Sequence, residues 1–292
     1  MERKVETNVN LAPFTTFKIG GEAKYLIRIK NKKDLIEAFR FIKKRKIPYF
    51  ILGAGSNILF PDQGFDGVVI KMENDKLKIE DNIVEAESGV RFRDLLDRLT
   101  EEGLSGLEWG KGIKSTIGGA VRGNAGAFGT CMEEITEKVT ALNIDTLKTE
   151  EFNKKECEFD YRESIFKNNS NLVILKVILE LKKDSPEAIK KRMNKYLQKR
   201  KERHPLGYPS AGSTFKNHTE RPAGEYIEKA GFKGKKIGGV EVSQKHANFI
   251  INTGDGKAKD VKKLIKLIKE KVNKQFNIQL EEEINIIHNK KL

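Results

Sequence analysis

Apolar positions in the first third of the chain switch repeatedly between two periods. Tyr25, Leu26, Ile27 and Ile29 alternate loosely and predict a strand. Leu35, Ala38, Phe39 and Ile42 then recur at helical spacing, behind a capping Asn31 and an acidic Asp34 three positions later. Pro48 to Leu52 is an unbroken apolar run ending at Gly53, the pattern of a buried strand that stops in a turn. Val68 to Ile70, Leu77 to Glu80 and Ile83 to Glu87 predict an antiparallel meander turned at Asp81-Asn82. Phe92, Leu95, Leu96 and Leu99 give a helix that Gly103 stops. Strands follow at Val139 to Ile144, which ends in a turn at Asp145-Thr146, and at Leu172 to Leu181.

The pattern changes at Lys182 to Pro186, where a domain boundary is expected. Ser185 caps a basic helix, Pro186 fits its first turn, and Ile189, Met193, Tyr196 and Leu197 share one face. Beyond it lie a loop at Pro205 to Gly212 and a helix around Ala223 to Ala230. Strands are expected at Ile237 to Val242 and Asn248 to Ile251, then a helix from Lys259 to Phe276 and a last strand at Ile284 to Ile287.

Charged residues make up 34% of the 292 positions and hydrophobic ones 38%, a composition suited to a soluble globular protein, at a length that allows two domains or one with an appended subdomain. No apolar run reaches the ~18 residues of a membrane span, and the opening residues lack a signal-peptide core, so a cytoplasmic location without membrane partners is expected. Two cysteines and four scattered histidines form no metal-ligand spacing, and neither zinc nor a disulfide framework is expected. The net charge of +14 invites a nucleic-acid reading. Much of the excess sits on the polar faces of the helices at 190–203 and 259–274, however, with no interleaved aromatics. A solvated surface is expected there, not a polyanion site.

Two stretches of small residues carry the chemistry. Ser115 to Gly129 holds five glycines, three alanines and no acid, and Gly53-Ala-Gly-Ser-Asn57 is a second such turn. Small side chains let backbone N–H groups approach a bulky anion, and two such turns suit a long ligand such as a dinucleotide. Neither is a Rossmann fingerprint. The Gly53 turn lacks the third glycine, and Pro61 would break the helix that must follow it.

These motifs resemble the flavin-dependent UDP-N-acetylenolpyruvoylglucosamine reductases of bacterial peptidoglycan synthesis. The resemblance runs from Thr16-Phe-Lys-Ile-Gly-Gly21 through Leu52 to Leu59, Ile117 to Val121 and Asn124 to Ala127. It continues through Tyr161 to Lys167, Pro209 to Asn217, Val242 to Ile250 and Leu280 to Ile284. It implies an α+β chain: a vanillyl-alcohol oxidase-like FAD-binding fold of two subdomains, about 1–72 and 73–184, and a C-terminal α+β substrate-binding domain at 185–292. FAD would be bound non-covalently, with Cys131 the thiol nearest the glycine-rich run in sequence. It would lie along Gly53, Ala54, Gly55, Ser56, Asn57, Ser115, Thr116, Ile117, Gly118, Gly119, Ala120, Asn124, Ala125 and Gly126. NADPH would be the hydride donor, the substrate a UDP-sugar, and the chain a monomer or weak dimer. Two departures fall in the second glycine run. Ile113-Lys114 and then Ser115-Thr116 stand where the family has proline and glycine before its serine, and Gly123 replaces a larger residue before Asn124.

The implied reaction delivers a hydride to an enolpyruvyl methylene carbon and a proton to its neighbour. It therefore needs a cation at the carboxylate, an electrostatic stabiliser and a proton donor. By resemblance, Arg162 is the cation, Ser213 the proton donor and Glu283 the assisting acid. Lys216 is a candidate to stabilise the serine alkoxide. Pattern alone leaves both Glu282 and Glu283 open in the acidic run, although register against Ile284 favours Glu283. Tyr161, Lys216, Asn217 and Asn248 are the implied contacts to phosphate, uracil or sugar, and His246 reads as a packing residue. The absence of a long insertion suits the family's shorter form, which lacks an extra substrate-closing loop. A different FAD oxidoreductase of this fold, acting on a small alcohol or sugar, is the alternative.

Overall fold

The computed structural model of the chain describes residues 5–288, and its contacts sort into two units. The first comprises residues 27–54 and 69–199 with Val5; the second comprises 6–26, 55–68 and 200–288.

In the first unit, α1 (Lys32–Arg45) starts as the sequence predicts. The Asn31 side chain accepts from Asp34 N at 3.0 Å, and Lys30 N donates back to the Asp34 carboxylate at 3.1 Å. The main sheet is antiparallel, in the order Lys148–Asn153, Thr136–Asn143, Leu172–Glu180, Ile83–Glu87, Leu77–Glu80. Helix α2 (Phe92–Glu101) buries Phe92, Leu95, Leu96 and Leu99 in the same core as Val84, Val139 and Val177. Each such side chain contributes about 2 kcal/mol on burial. The short helices α3 (Ile117–Arg122) and α4 (Ile165–Asn168) complete this layer.

Two expectations change here. The predicted meander is only a hairpin. Leu77–Glu80 and Ile83–Glu87 pair with each other, whereas the strand Phe65–Met72 lies between Glu22–Ile29 and Tyr49–Leu52 in another sheet. The strand Lys148–Asn153 was not foreseen, because Phe152 is its only apolar residue and its place at the sheet edge demands no buried face.

Helix α5 (Pro186–Arg203) follows Ser185. Ser185 Oγ accepts from Ala188 N at 3.2 Å, and Ile189, Met193 and Tyr196 pack on the first unit's core. Arg192 adds bonds to Glu108 at 2.8 Å and Asp184 at 2.5 Å. Contacts therefore keep residues up to Lys199 with the first unit and group residues 6–26 and 55–68 with the second.

The second unit is built on the antiparallel sheet Ser210–Ser213, Phe249–Asn252, Val240–Val242, Lys236–Ile237. The single strand expected over Ile237 to Val242 is a hairpin, turned at Gly238 with φ +54°. Against it pack α6 (Ala223–Lys229) and α7 (Ala258–Phe276), the latter through Val261, Leu264, Ile265, Ile268 and Val272. Asp62 caps α7 from outside, accepting from Ala258 N at 2.6 Å and Lys259 N at 3.0 Å. Asn285–Ile286 runs parallel to Ile58–Leu59, so a strand, not a helix, follows the first glycine turn. Among the described residues no helix is long and apolar enough to cross a membrane.

Candidate active site

The two stretches of small residues meet in the first unit. A Cβ on Gly53 would lie 2.6 Å from Thr116 Oγ1, so only glycine allows this approach. Thr116 caps α3, accepting from Gly119 N at 3.3 Å. The next amides are also used internally: Ile117 N donates to Val90 O and Gly118 N to Ser88 O, both at 2.9 Å. A Cβ on Gly118 would fall 2.6 Å from Ser88 Cβ. Gly118 thus serves close packing of α3 against Ser88, which follows the strand Ile83–Glu87. Asn124 is committed as well. It is buried, donates to Asp160 O at 3.0 Å and accepts from Glu133 N at 3.0 Å.

The turn at Ala54 to Asn57 behaves differently. Among the described residues, none of its four backbone amides donates to a protein acceptor. Behind it, Lys71 Nζ donates to the Gly53 carbonyl. In the second unit Thr16 braces the turn, its N–H donating to Gly55 O at 3.0 Å and its hydroxyl to Ser210 O at 2.7 Å. Gly55 sits at φ +67°, with space for a Cβ closed by Phe14 O at 2.2 Å. A cradle of unpaired N–H groups that a Cβ would disrupt fits the diphosphate of a dinucleotide. The Asn57 side-chain amide donates to Glu283 O at 2.9 Å.

Arg162 belongs to the first unit, in a turn where Asp160 and Glu163 exchange backbone bonds at 3.0 and 3.2 Å. Its φ is +61°, a strained value for a long side chain. Several contacts hold it. Arg162 Nη2 donates to Gly126 O at 3.2 Å, Lys167 Nζ donates to Arg162 O at 2.7 Å, and Ser164 Oγ donates to Arg122 O at 2.7 Å. Tyr161 is exposed, its ring centroid 5.3 Å from the Arg162 guanidinium carbon. The Gly126–Ala127 strand that receives Arg162 pairs with Thr130–Cys131, and the adjoining Phe128 stacks on Tyr196 at 4.9 Å.

Ser213 and Glu283 lie in the second unit. Ser213 ends its strand opposite Phe249, after an irregularity at Gly212 with φ +78°. The segment beyond it runs beside the acidic run: Glu283 N donates to Thr214 O and Lys216 N to Glu281 O, both at 2.9 Å. Side chains separate the three acids. Glu281 pairs with Lys216 at 2.6 Å, and Glu282 is held by Lys269 at 2.7 Å. Glu283 is the acid whose backbone is pinned both to Thr214, next to Ser213, and to Asn57. Lys216, considered as a partner for the serine alkoxide, has its ammonium on Glu281.

Asn248 is tied to the backbone of Phe215. It is 2% exposed, accepts from Phe215 N at 2.9 Å and donates to Phe215 O at 2.8 Å, which fixes the segment after Ser213. Asn217 accepts from Ala223 N at 3.2 Å, at the start of α6. His246 packs on Phe249 and on His204, at 5.0 and 5.4 Å between ring centroids. Burial pushes its imidazole down from the usual value. Lys71 was missed by sequence reasoning, since one lysine in an apolar strand carries no signal.

A family model described as FAD binding domain matches residues 23–146, and one described as UDP-N-acetylenolpyruvoylglucosamine reductase, C-terminal domain, matches residues 204–287. The chain is 42% identical over 280 residues to a UDP-N-acetylenolpyruvoylglucosamine reductase of Caldicellulosiruptor bescii, covering 95% of this chain and 88% of the other. It is 39% identical to one from Caldanaerobacter subterraneus subsp. tengcongensis, over 99% and 95% of the two chains. A crystal structure of the corresponding reductase from Thermus caldophilus superposes with a TM-score of 0.83 at 31% identity, covering 97% of this chain and 98% of that one. With glycine turns suited to a dinucleotide, an FAD-binding domain and relatives matched nearly end to end, the chain belongs to the UDP-N-acetylenolpyruvoylglucosamine reductase family.

Proposed function

We propose that this chain reduces the enolpyruvyl group of UDP-N-acetylglucosamine enolpyruvate to give UDP-N-acetylmuramate, with NADPH as donor, in cytoplasmic peptidoglycan synthesis. The observation that carries this is the pinned pair Thr214–Glu283. Through it a hydroxyl residue, Ser213, and a carboxylate, Glu283, sit on neighbouring stretches of backbone. FAD, when bound non-covalently, supplies the hydride transfer between donor and substrate.

The chain's own residues handle charge and proton. The Ala54–Asn57 amides, with Gly53 against Thr116, would hold the cofactor's diphosphate. Of the other cofactor residues named from sequence, Gly118 and Asn124 act by shaping the wall. Arg162 faces the substrate carboxylate, where a planar fork meets negative charge as it grows on the carboxylate and adjoining carbon. Ser213 gives its hydroxyl proton to that carbon. Glu283 assists at the same centre, a role supported by the bonds of its backbone to Asn57 and to Thr214, next to Ser213. Tyr161, Lys216, Asn217 and Asn248 meet the UDP-sugar, and Asn248 also fixes Phe215. The cofactor-binding part is assigned to 1–184 and the substrate-binding part to 185–292. The protein is of the shorter form, without the closing loop, and works as a monomer or weak dimer.

Substrate-dependent NADPH oxidation tests this. Consumption of NADPH should require the enolpyruvyl UDP-sugar and yield UDP-N-acetylmuramate by mass spectrometry. Turnover with a small alcohol or sugar in its place would instead support the alternative oxidoreductase. In Ser213→Ala, flavin reduction by NADPH should stay near normal while product formation slows by about 10³-fold or more. Equal slowing of both halves would refute the serine's role.

A further inference from the structure

The cation behind the first glycine turn is part of no motif. Lys71 lies half-buried on the strand Phe65–Met72, and its ammonium donates to the Gly53 carbonyl. The described chain has no cis peptide bond, so the Gly53–Ala54 peptide is trans. In a trans peptide the C=O and the following N–H point in opposite directions. Binding the Gly53 oxygen from behind therefore fixes the Ala54 N–H outward. That N–H donates to no protein acceptor among the described residues, nor do those of Gly55, Ser56 and Asn57.

We infer that Lys71 is a positioning residue for the cofactor's diphosphate: it locks and polarises the Gly53–Ala54 peptide so that Ala54 N–H donates to a phosphate oxygen. The inference rests on FAD lying at this turn. A charged donor on a carbonyl strengthens the hydrogen bond the same amide gives on its other side, most in a partly desolvated place. The ammonium also adds one positive charge about a peptide's width behind the anion. Neighbouring charges leave it available. Glu73, the acid next on that strand, is bound by Arg28 at 2.7 Å. Burial pushes the Lys71 ammonium below its ordinary value, with Arg28 adding to that and Glu73 opposing it. A nearby dianion would favour the charged form.

The test is equilibrium binding of FAD to apo-protein, followed by quenching of flavin fluorescence, in the native chain, Lys71→Met and Lys71→Arg. Lys71→Met keeps the length of the stem and removes the charge. It is expected to weaken FAD about tenfold without moving the apo-protein melting temperature. Added salt should weaken native binding more steeply than that of Lys71→Met. Lys71→Arg should restore most of the affinity. Equal affinity of native and Lys71→Met protein overturns the role. So does an equal loss in both variants that follows a lowered apo melting temperature. If the native chain takes up no FAD, the placement of the cofactor fails first, and that outcome is distinct.

Discussion

Arg162 reaches the Gly126 carbonyl with its guanidinium at 3.2 Å while its own backbone sits at φ +61°. A long side chain kept in that region costs of order 1 kcal/mol or more, a strain that persists where surrounding contacts over-determine the position. Here those contacts are Lys167 on the Arg162 carbonyl, Asn124 on Asp160 and Ser164 on Arg122. The second glycine run thus supports the arginine as much as it suits a cofactor.

Arg162→Lys keeps the charge and loses the fork. The substrate-dependent half-reaction should slow by about 10²-fold while flavin reduction by NADPH is little changed. Stopped-flow absorbance resolves the two halves. A lysine variant as fast as the native enzyme in both would show that the planar fork has no part.

Gly53→Ala drives a methyl group to 2.6 Å from Thr116 Oγ1, the atom that caps α3. The expected outcome is a loss of about 1–3 kcal/mol in stability, together with weaker FAD binding. Chemical denaturation of apo-protein reads the first and flavin fluorescence the second. An alanine variant matching the native protein in both would contradict the close approach.

Asn248→Asp replaces a donor by an acceptor facing the Phe215 carbonyl, at a site only 2% exposed. Losing the bond and burying a carboxylate should cost about 3 kcal/mol. Because the same segment carries Ser213, product formation should fall further than flavin reduction. Apo-protein denaturation and the two half-reaction rates give both readouts.

Acid should expose the His204–His246 pair. Burial, with help from His246, Arg200, Arg203 and Lys245, pushes His204 from 6.5 down to about 4. Between those values the unfolded chain binds a proton that the folded chain refuses, so this residue makes stability rise with pH. Its contribution is complete above 6.5 and is lost as pH falls through the window toward 4. His246 shifts in the same direction. Melting temperature measured from pH 7 to 5 should fall less steeply in His204→Phe, which keeps an aromatic ring against Phe249. Parallel slopes in the two proteins would contradict this.

The legible parts of the chain were those where local chemistry settles local structure. Asn31 with Asp34, Ser185 with Pro186, and the apolar stripes of α2 and α7 each name an element without help from the rest of the fold. The glycine turns were visible too, because few other needs collect so many small residues. What stayed hidden depends on partners far away in sequence. Phe65–Met72 leaves the expected meander because it pairs with Glu22–Ile29 and Tyr49–Leu52, and no pattern inside the strand records that choice. The intrachain bonds of Asn57, Asn124 and Asn248 were hidden as well: their side-chain amides donate to distant backbone at Glu283, Asp160 and Phe215. Lys216 and Lys269 hold Glu281 and Glu282, pairings that no pattern inside the acidic run records.

Anaerobic titration of the FAD-loaded protein tests the central claim most directly. NADPH should bleach the visible flavin band, and UDP-N-acetylglucosamine enolpyruvate alone, with oxygen excluded, should restore it while UDP-N-acetylmuramate appears in equal amount. A protein that binds no flavin, or a bleached band that returns only with oxygen, would contradict the account.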